Sequence, residues 1–410
     1  MTFFGGVISI TGITFLMFSV MAIAAVGYAL GRITIKGVSL GTAGVFIVAI
    51  LFGCLFYDKL GAQTAGYTKN ALKIVENLGL ILFVTSVGFI AGPKFFGNLK
   101  RNFKSYILLG LIIIFVGGLA AVGCLYIGRA IGTEDSKDLT AMITGLLAGA
   151  LTSTPAFSAA KGSVDAAYED TVSVGYGIAY IFGVIGVVLF VQVLPKLLKA
   201  NMEVERAKLT VVDENTKPRK ESKHRLIDMD SFGIMPFACA TLIGILVGMI
   251  KIPLTSAGLS GTCFSLTTTG GCLLTALVFG HFGRVGRVNV MPSASTLRVF
   301  REFGLMLFLI GAGVSAGASF IEKFQPIYFL YGVVMTLLPM IVGFIFAKYV
   351  LKMHLLNILG SITGGMTSTP ALGTLINIAG TEDVASAYAA TYPIALIAVV
   401  LVSQFLIILF

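Results

Sequence analysis

The sequence predicts an all-α polytopic membrane protein made of two inverted-topology repeats, each with five spans and one re-entrant or broken hairpin. Three observations predict it. The 410 residues are 57% hydrophobic and only 12% charged, with mean hydropathy +0.96, and the apolar residues fall in runs of about 20, the length that crosses a bilayer. The polar stretch Lys196 to Asp230 divides the chain near its middle. The pentapeptide Thr-Ser-Thr-Pro-Ala occurs once on each side of that division, at Thr152 to Ala156 and Thr367 to Ala371, both times in glycine-rich apolar surroundings.

The spans are expected near 9–31, 38–57, 74–96, 105–128 and 171–195, then near 232–250, 259–281, 303–321, 327–350 and 385–408. The first run, Thr11 to Leu30, has no basic residue before it and no small-residue cleavage site after it, so it reads as a retained span. Three units result: a first membrane repeat over 1–195, a charged linker over 196–230 and a second repeat over 231–410. The linker is too short and too charged to bury a core of its own. The net charge of +10 comes from Lys and Arg in loops beside spans, where they set orientation; nucleic acid is not an expected partner, and the lipid bilayer is. Cys54, Cys124, Cys239, Cys263 and Cys272 lie in apolar segments without CxxC spacing or a nearby His, so they read as packing thiols with no metal site.

The halves are related by duplication. Leu72 to Gly92 and Leu297 to Gly317 share 8 of 21 residues at a fixed offset of 225, among them Gly79/Gly304, Phe83/Phe308, Gly88/Gly313 and Gly92/Gly317. Ser39-Leu40-x-Thr42-x-Gly44 likewise matches Ser265-Leu266-x-Thr268-x-Gly270. The charges then decide the relative orientation. Loops with Arg32 and Lys36, with Lys94 to Lys104, with Arg284 to Arg298, and with Lys348 and Lys352 should face the cytoplasm, as should the linker. Loops with Glu134, Asp135 and Asp138, or with Glu382 and Asp383, should face outward. Every basic loop is accommodated if the segments 139–165 and 355–380 make no net crossing. Each half then has five crossings, both termini lie outside, and the repeats are inverted, as in many secondary transporters.

A hairpin of that length has arms that reach near the midplane. Thr154 and Thr369 are placed as N-caps of the returning arms, Pro155 and Pro370 at the first helical position, and Phe157 and Leu372 at N3. Phe and Leu cannot supply the reciprocal carboxylate of a capping box, so the arm starts should keep free N–H groups for a carboxylate or other small anion. The hydroxyls of Thr152, Ser153, Thr367 and Ser368 would add donors or ligate a cation. The alternative is a Thr-Pro kink whose hydroxyls bond back to the helix; two copies at symmetric places favour the site. The candidate substrate-binding residues are therefore Thr152, Ser153, Thr154, Pro155, Ala156, Thr367, Ser368, Thr369, Pro370 and Ala371, with Tyr176 and Tyr392 either beside them or at the membrane interface. Gly145, Gly149, Gly360, Gly364 and Gly365 are expected to thin the hairpins for close packing and to let them slide against neighbours. Glu76 and Glu302, beside Lys73, Arg298 and Arg301, read as surface ion pairs. No paired acid, His or nucleophile set is present for membrane catalysis, so the chain is not read as an enzyme, and no cofactor is indicated.

These paired motifs resemble the duplicated membrane domain of the aspartate:alanine exchanger family of bacterial secondary transporters. The resemblance rests on GLxLFxxxxGxxAG, the glycine-rich Thr-Ser-Thr-Pro-Ala segment and the Tyr-Gly or Tyr-Pro helix that follows, and it covers both membrane halves. It implies antiport of small anionic amino acids or dicarboxylates across the inner membrane, by an elevator-type movement in a homodimer. A sodium-coupled organic-anion symporter is the runner-up and a channel a more distant one; the coupling ion, sodium or proton, stays open. The short linker departs from family members that carry regulatory domains between the halves.

Overall fold

The structure is a computed structural model that describes residues 2–3, 8–35, 38–39, 42–63, 67–101, 103–132, 136–209, 227–253, 263–381 and 383–410. In the first half the helices are α1 (Gly12–Gly31), α2 (Ala43–Gln63), α3 (Thr68–Arg101), α4 (Leu108–Ile131), α5 (Ser136–Ala150), α6 (Thr154–Ser163) and α7 (Glu169–Leu197). A short α8 (Met202–Ala207) follows. The second half contributes α9 (Ile234–Gly248), α10 (Thr267–Phe282), α11 (Ala294–Lys323), α12 (Pro326–Ile345), α13 (Leu355–Gly365), α14 (Thr369–Ala379) and α15 (Val384–Leu409). The described strands are two-residue pairs between helices, such as Ile227–Asp228 beside Val288–Asn289.

Ten of these helices coincide with the ten expected spans. Among the described residues eight helical segments are long and apolar enough to cross a membrane, and the chain is a multi-pass membrane protein. The two shorter ones, α9 and α10, have 15 and 16 residues and at 1.5 Å per residue fall short of a hydrocarbon core of about 30 Å. Left-handed glycines bound them, Gly233 (φ 76°) before α9 and Gly283 (φ 59°) after α10.

The start of α9 is held by one side chain. Asp230 accepts backbone N–H bonds from Phe232, Gly233, Ile234 and Met235 at 2.6–3.0 Å. These bonds favour the ionised carboxyl and hold it below the usual carboxylate range, the Met235 N–H first. Because the folded group titrates lower than the unfolded one, its contribution is present above the unfolded value near 4 and disappears as pH falls through the folded one. Asp230→Ala is expected to lower Tm at neutral pH, and the gap from the parent should close in strong acid; a gap independent of pH would contradict this.

Both Thr-Ser-Thr-Pro segments fold back on themselves. The chain enters on α5, turns at 151–153 and returns on α6, so that Lys137 near the start meets Asp165 just past the end at 3.3 Å. In the other half α13 and α14 have the same relation about 366–368. The glycines explain the fit: a Cβ on Gly145 or Gly149 would strike the carbonyls of Val172 or Tyr176 on α7, and one on Gly360 or Gly364 those of Val384 or Tyr388 on α15. Gly365 lies against Ile113 of α4. Each hairpin is thus fastened to the long helix that follows it, and the expected sliding surface is not at these glycines. The bases of the hairpins lie at opposite ends of α7: Thr171 in its first turn bonds Asp138 of α5 at 2.6 Å, whereas Arg206, beyond its last turn, bonds the Ala379 carbonyl at the end of α14.

The helices sort into two groups by packing. Within the first, α3 and α11 cross antiparallel where Gly79 meets Gly304, α3 packs on α10 through Gly88 and Gly92, and α11 packs on α2 through Gly313 and Gly317. With α1 and α9 these make six helices, three from each half. The second group holds α4 to α7 and α12 to α15. Ion pairs join the groups: Lys73 on α3 to Glu169 on α7, Glu76 on α3 to Lys161 on α6, and Lys323 on α11 to Asp138 on α5.

Candidate functional site

The two hairpin tips meet each other. Thr152 donates its hydroxyl to the Met366 carbonyl at 2.9 Å, and Thr367 donates to the Leu151 carbonyl at 2.8 Å. Both threonines sit in the left-handed region, at φ 51° and 52°, a conformation that costs a β-branched residue roughly 1–3 kcal/mol. The turn around each is closed by the same backbone bonds, Ser153 N–H to Ala148 O at 2.9 Å and Ser368 N–H to Thr363 O at 3.0 Å. The repeated pentapeptide therefore encodes a repeated, strained turn, and the two turns are cross-bonded.

That geometry moves the helix starts by one residue from the expected register. The N-caps are Ser153 and Ser368, both extended, so Thr154 and Thr369 are the first helical residues, the prolines the second, and Ala156 and Ala371 the N3 positions in place of Phe157 and Leu372. The left-handed threonine causes the shift: it turns the chain so that the following serine is the extended residue. Ser153 Oγ accepts the Ala156 N–H at 3.3 Å, so that donor is not free as expected. Ser368 makes no such cap bond, and its fully buried Oγ has no partner among the described residues. The side chains of Thr369 and Pro370 lie outside the described residues.

A cavity of about 310 Å³ opens at the joined tips. Thr152, Thr154, Pro155 and Thr367 form its floor, and Tyr180 and Tyr392 line its sides with Phe83, Val87, Leu305 and Leu396. Thr42, at the start of α2, also lines it. Arg301 and Glu302 of α11 bring a cation and an anion, joined to each other at 2.7 Å, with side chains 39% and 47% exposed. A guanidinium is thereby placed in one cavity with the first residues of α6 and the turn that leads into α14, a combination that suits a carboxylate. Tyr392 stacks on Tyr388 at 5.1 Å. Tyr176 is fully buried behind Tyr180, stacked between it and Phe157 at 4.8 and 4.1 Å; it is neither at an interface nor in the cavity lining.

A second cavity, of about 380 Å³, lies where α3, α6 and α10 meet. It is lined by Lys73, Glu76, Asn77 and Leu80, which the offset of 225 relates to Arg298, Arg301, Glu302 and Leu305. The two cavities are thus built on equivalent turns of α3 and α11.

The same duplication appears in comparison with known proteins. A family model described as Asp-Al_Ex, predicted permease membrane region, matches residues 19–196 and again residues 236–408. The chain belongs to this family. A protein of Bacteroides thetaiotaomicron named as an uncharacterized transporter is 27% identical over 94% of this chain and 97% of its own length. Another so named, from Desulfotalea psychrophila, is 23% identical over 95% and 96%. The first alignment runs over 543 positions against 410 residues here, so that relative carries residues with no counterpart in this chain.

The structure moves two of the charged residues read as surface ion pairs, and adds one, Lys161, that the sequence reading missed. Arg301 does pair with Glu302, but in a cavity wall. Glu76 is no surface residue: it and Lys161 are buried, 8% and 6% exposed, and their side chains meet at 2.7 Å. An isolated lysine in an apolar hairpin was the available signal, since intramembrane charge is costly and marks function.

Proposed function

We propose that this permease-family chain is a secondary active transporter, antiporter-like, that carries small anionic amino acids or dicarboxylates by alternating access, with the substrate held between the hairpin tips and Arg301. The observation that carries the reading is the convergence of the cross-bonded tips and the Arg301 guanidinium in one cavity. The repeats are read as inverted, in keeping with the antiparallel crossing of α3 and α11 and with hairpins whose bases lie at opposite ends of α7. Movement is read as elevator-type, the second group sliding past the first. Backbone-close glycine contacts hold each group together, while the groups meet through part-exposed ion pairs and through side-chain contacts of Phe46 and Phe308 with Phe157, with no such glycine between them among the described residues. The location proposed is the bacterial inner membrane, with both termini outside, the linker cytoplasmic and the chain a homodimer.

The direct test is counterflow in proteoliposomes with radiolabelled aspartate, alanine and succinate, with and without sodium. Saturable exchange is expected for at least one carboxylate, and Ser153→Leu and Ser368→Leu, at packed positions just behind the cavity floor, should each abolish it by displacing the joined turns, with the protein still monodisperse. Undiminished exchange in both variants would remove the tips from the site. A strict sodium requirement would favour symport, and non-saturable flux a channel.

A further inference from the structure

The buried ion pair Glu76–Lys161 has no counterpart in the second repeat. At the positions equivalent to Glu76 and Lys161, by offsets of 225 and 215, the second repeat has Arg301 and Ile376. The pair also joins the two helix groups. Glu76 is fixed to the first group, because Gly311 of α11 lies so close that a Cβ there would come within 2.7 Å of the Glu76 Cβ. Lys161 rides on the return arm of the first hairpin, with its ammonium 5.8 Å from the Phe157 ring centroid.

The charges around Glu76 leave it dependent on Lys161. From α3 itself comes Lys73, one turn away, whose ammonium is hydrogen-bonded to Glu169 at 2.8 and 3.1 Å. From α7 come Glu169 and Asp170, both negative. Lys251 lines the same cavity and is exposed. α10 brings only the hydroxyls of Thr267, Thr268 and Thr269, and α11 brings Gly311.

We propose that Glu76 is a proton-coupling site: it binds a proton from water when the hairpin withdraws Lys161 and releases it when Lys161 returns. The proposal rests on the reading of the second group as the moving body. Withdrawal takes Lys161 away, together with Glu169 and Asp170 of α7 on the same moving group, and leaves Glu76 without the ammonium that pairs with it at 2.7 Å; loss of that countercharge favours its neutral form. The proton enters through the second cavity, in whose wall Glu76 and Lys161 both stand, and the only bond made or broken is O–H. Low pH therefore favours the undocked hairpin, and each transport cycle moves a proton with the substrate.

Thr269 reports docking without any substrate. It is 2% exposed, and its Oγ1 lies 2.7 Å from Ser158 Oγ on the same hairpin arm. A single cysteine at Thr269, in protein free of native thiols and held in lipid nanodiscs, is labelled with a membrane-impermeant maleimide. Rates are taken relative to a single cysteine at exposed Glu203, which cancels the pH dependence of the thiol. The relative rate should rise about tenfold or more from pH 8 to pH 5.5. Glu76→Gln should give the fast rate at both pH values, Lys161→Gln the same, and Glu76→Asp should keep the pH dependence. A pH-independent rate with both Glu76 and Lys161 present, or a pH response that survives Glu76→Gln, overturns the proposal. Loss of counterflow for every carboxylate, with this pH response intact, would instead overturn the transport reading while supporting the proton site.

Discussion

Arg301→Gln is expected to weaken apparent substrate affinity in counterflow by tenfold to a hundredfold, with little change in Tm. A charge-assisted hydrogen bond is worth about 1.5–3 kcal/mol, and each 1.4 kcal/mol is a factor of ten. The side chain is 39% exposed and bonded only to its neighbour Glu302 among the described ion pairs, so the fold loses little. Removing the guanidinium also leaves Glu302 as an uncompensated anion at the cavity wall, and this repulsion adds to the loss. The two causes separate in the double variant Arg301→Gln/Glu302→Gln. If repulsion dominates, the double variant recovers most of the affinity; if the guanidinium itself holds the carboxylate, it stays weak. Unchanged affinity in Arg301→Gln would place the substrate elsewhere.

Much of this fold is legible in the sequence because a bilayer simplifies the code. Where backbone polar groups must be satisfied within the segment, apolar length alone locates helices, and all ten expected spans coincide with helices. The hairpins were legible for a related reason: one Thr-Ser-Thr-Pro could have been a kink, as proline is inside α12 and α15, but two copies at symmetric places, with the charge of the flanking loops, favoured turns. The register of those turns was not legible. Proline is acceptable at more than one position of a first turn, and only the left-handed Thr152 and Thr367, a tertiary feature of the cross-bonded tips, make Ser153 and Ser368 the caps. Nor was the Glu76–Lys161 pair legible, because its partners are brought together by packing of α3 against α6 and not by spacing along one helix. Tyr176 shows the same limit: one turn from Tyr180 on α7, it is buried while Tyr180 lines the cavity. Periodicity separates faces of a helix, but it does not say which face a neighbouring hairpin will cover.

The tips supply the other large expected effect. Thr152→Val and Thr367→Val keep shape and β-branching, so the left-handed strain is unchanged and only the hydroxyl is removed. Each substitution deprives a buried carbonyl, Met366 O or Leu151 O, of its donor, at a cost of about 1–3 kcal/mol. Exchange should fall at least tenfold in each single variant, because the cavity floor depends on both turns being held together. The two bonds bridge the same pair of turns, so the second loss should cost less once the first has freed the tips, and the double variant should fall short of additivity. A double-mutant cycle read by thermal unfolding and by counterflow measures this coupling. Strict additivity would mean that the tips are positioned independently, each by its own hairpin and the long helix behind it. Thr152→Gly adds a control, since it removes the same hydroxyl and also relieves the left-handed strain. It should be more stable than Thr152→Val and equally poor in exchange, which would assign the defect to the missing bond between tips and not to unfolding.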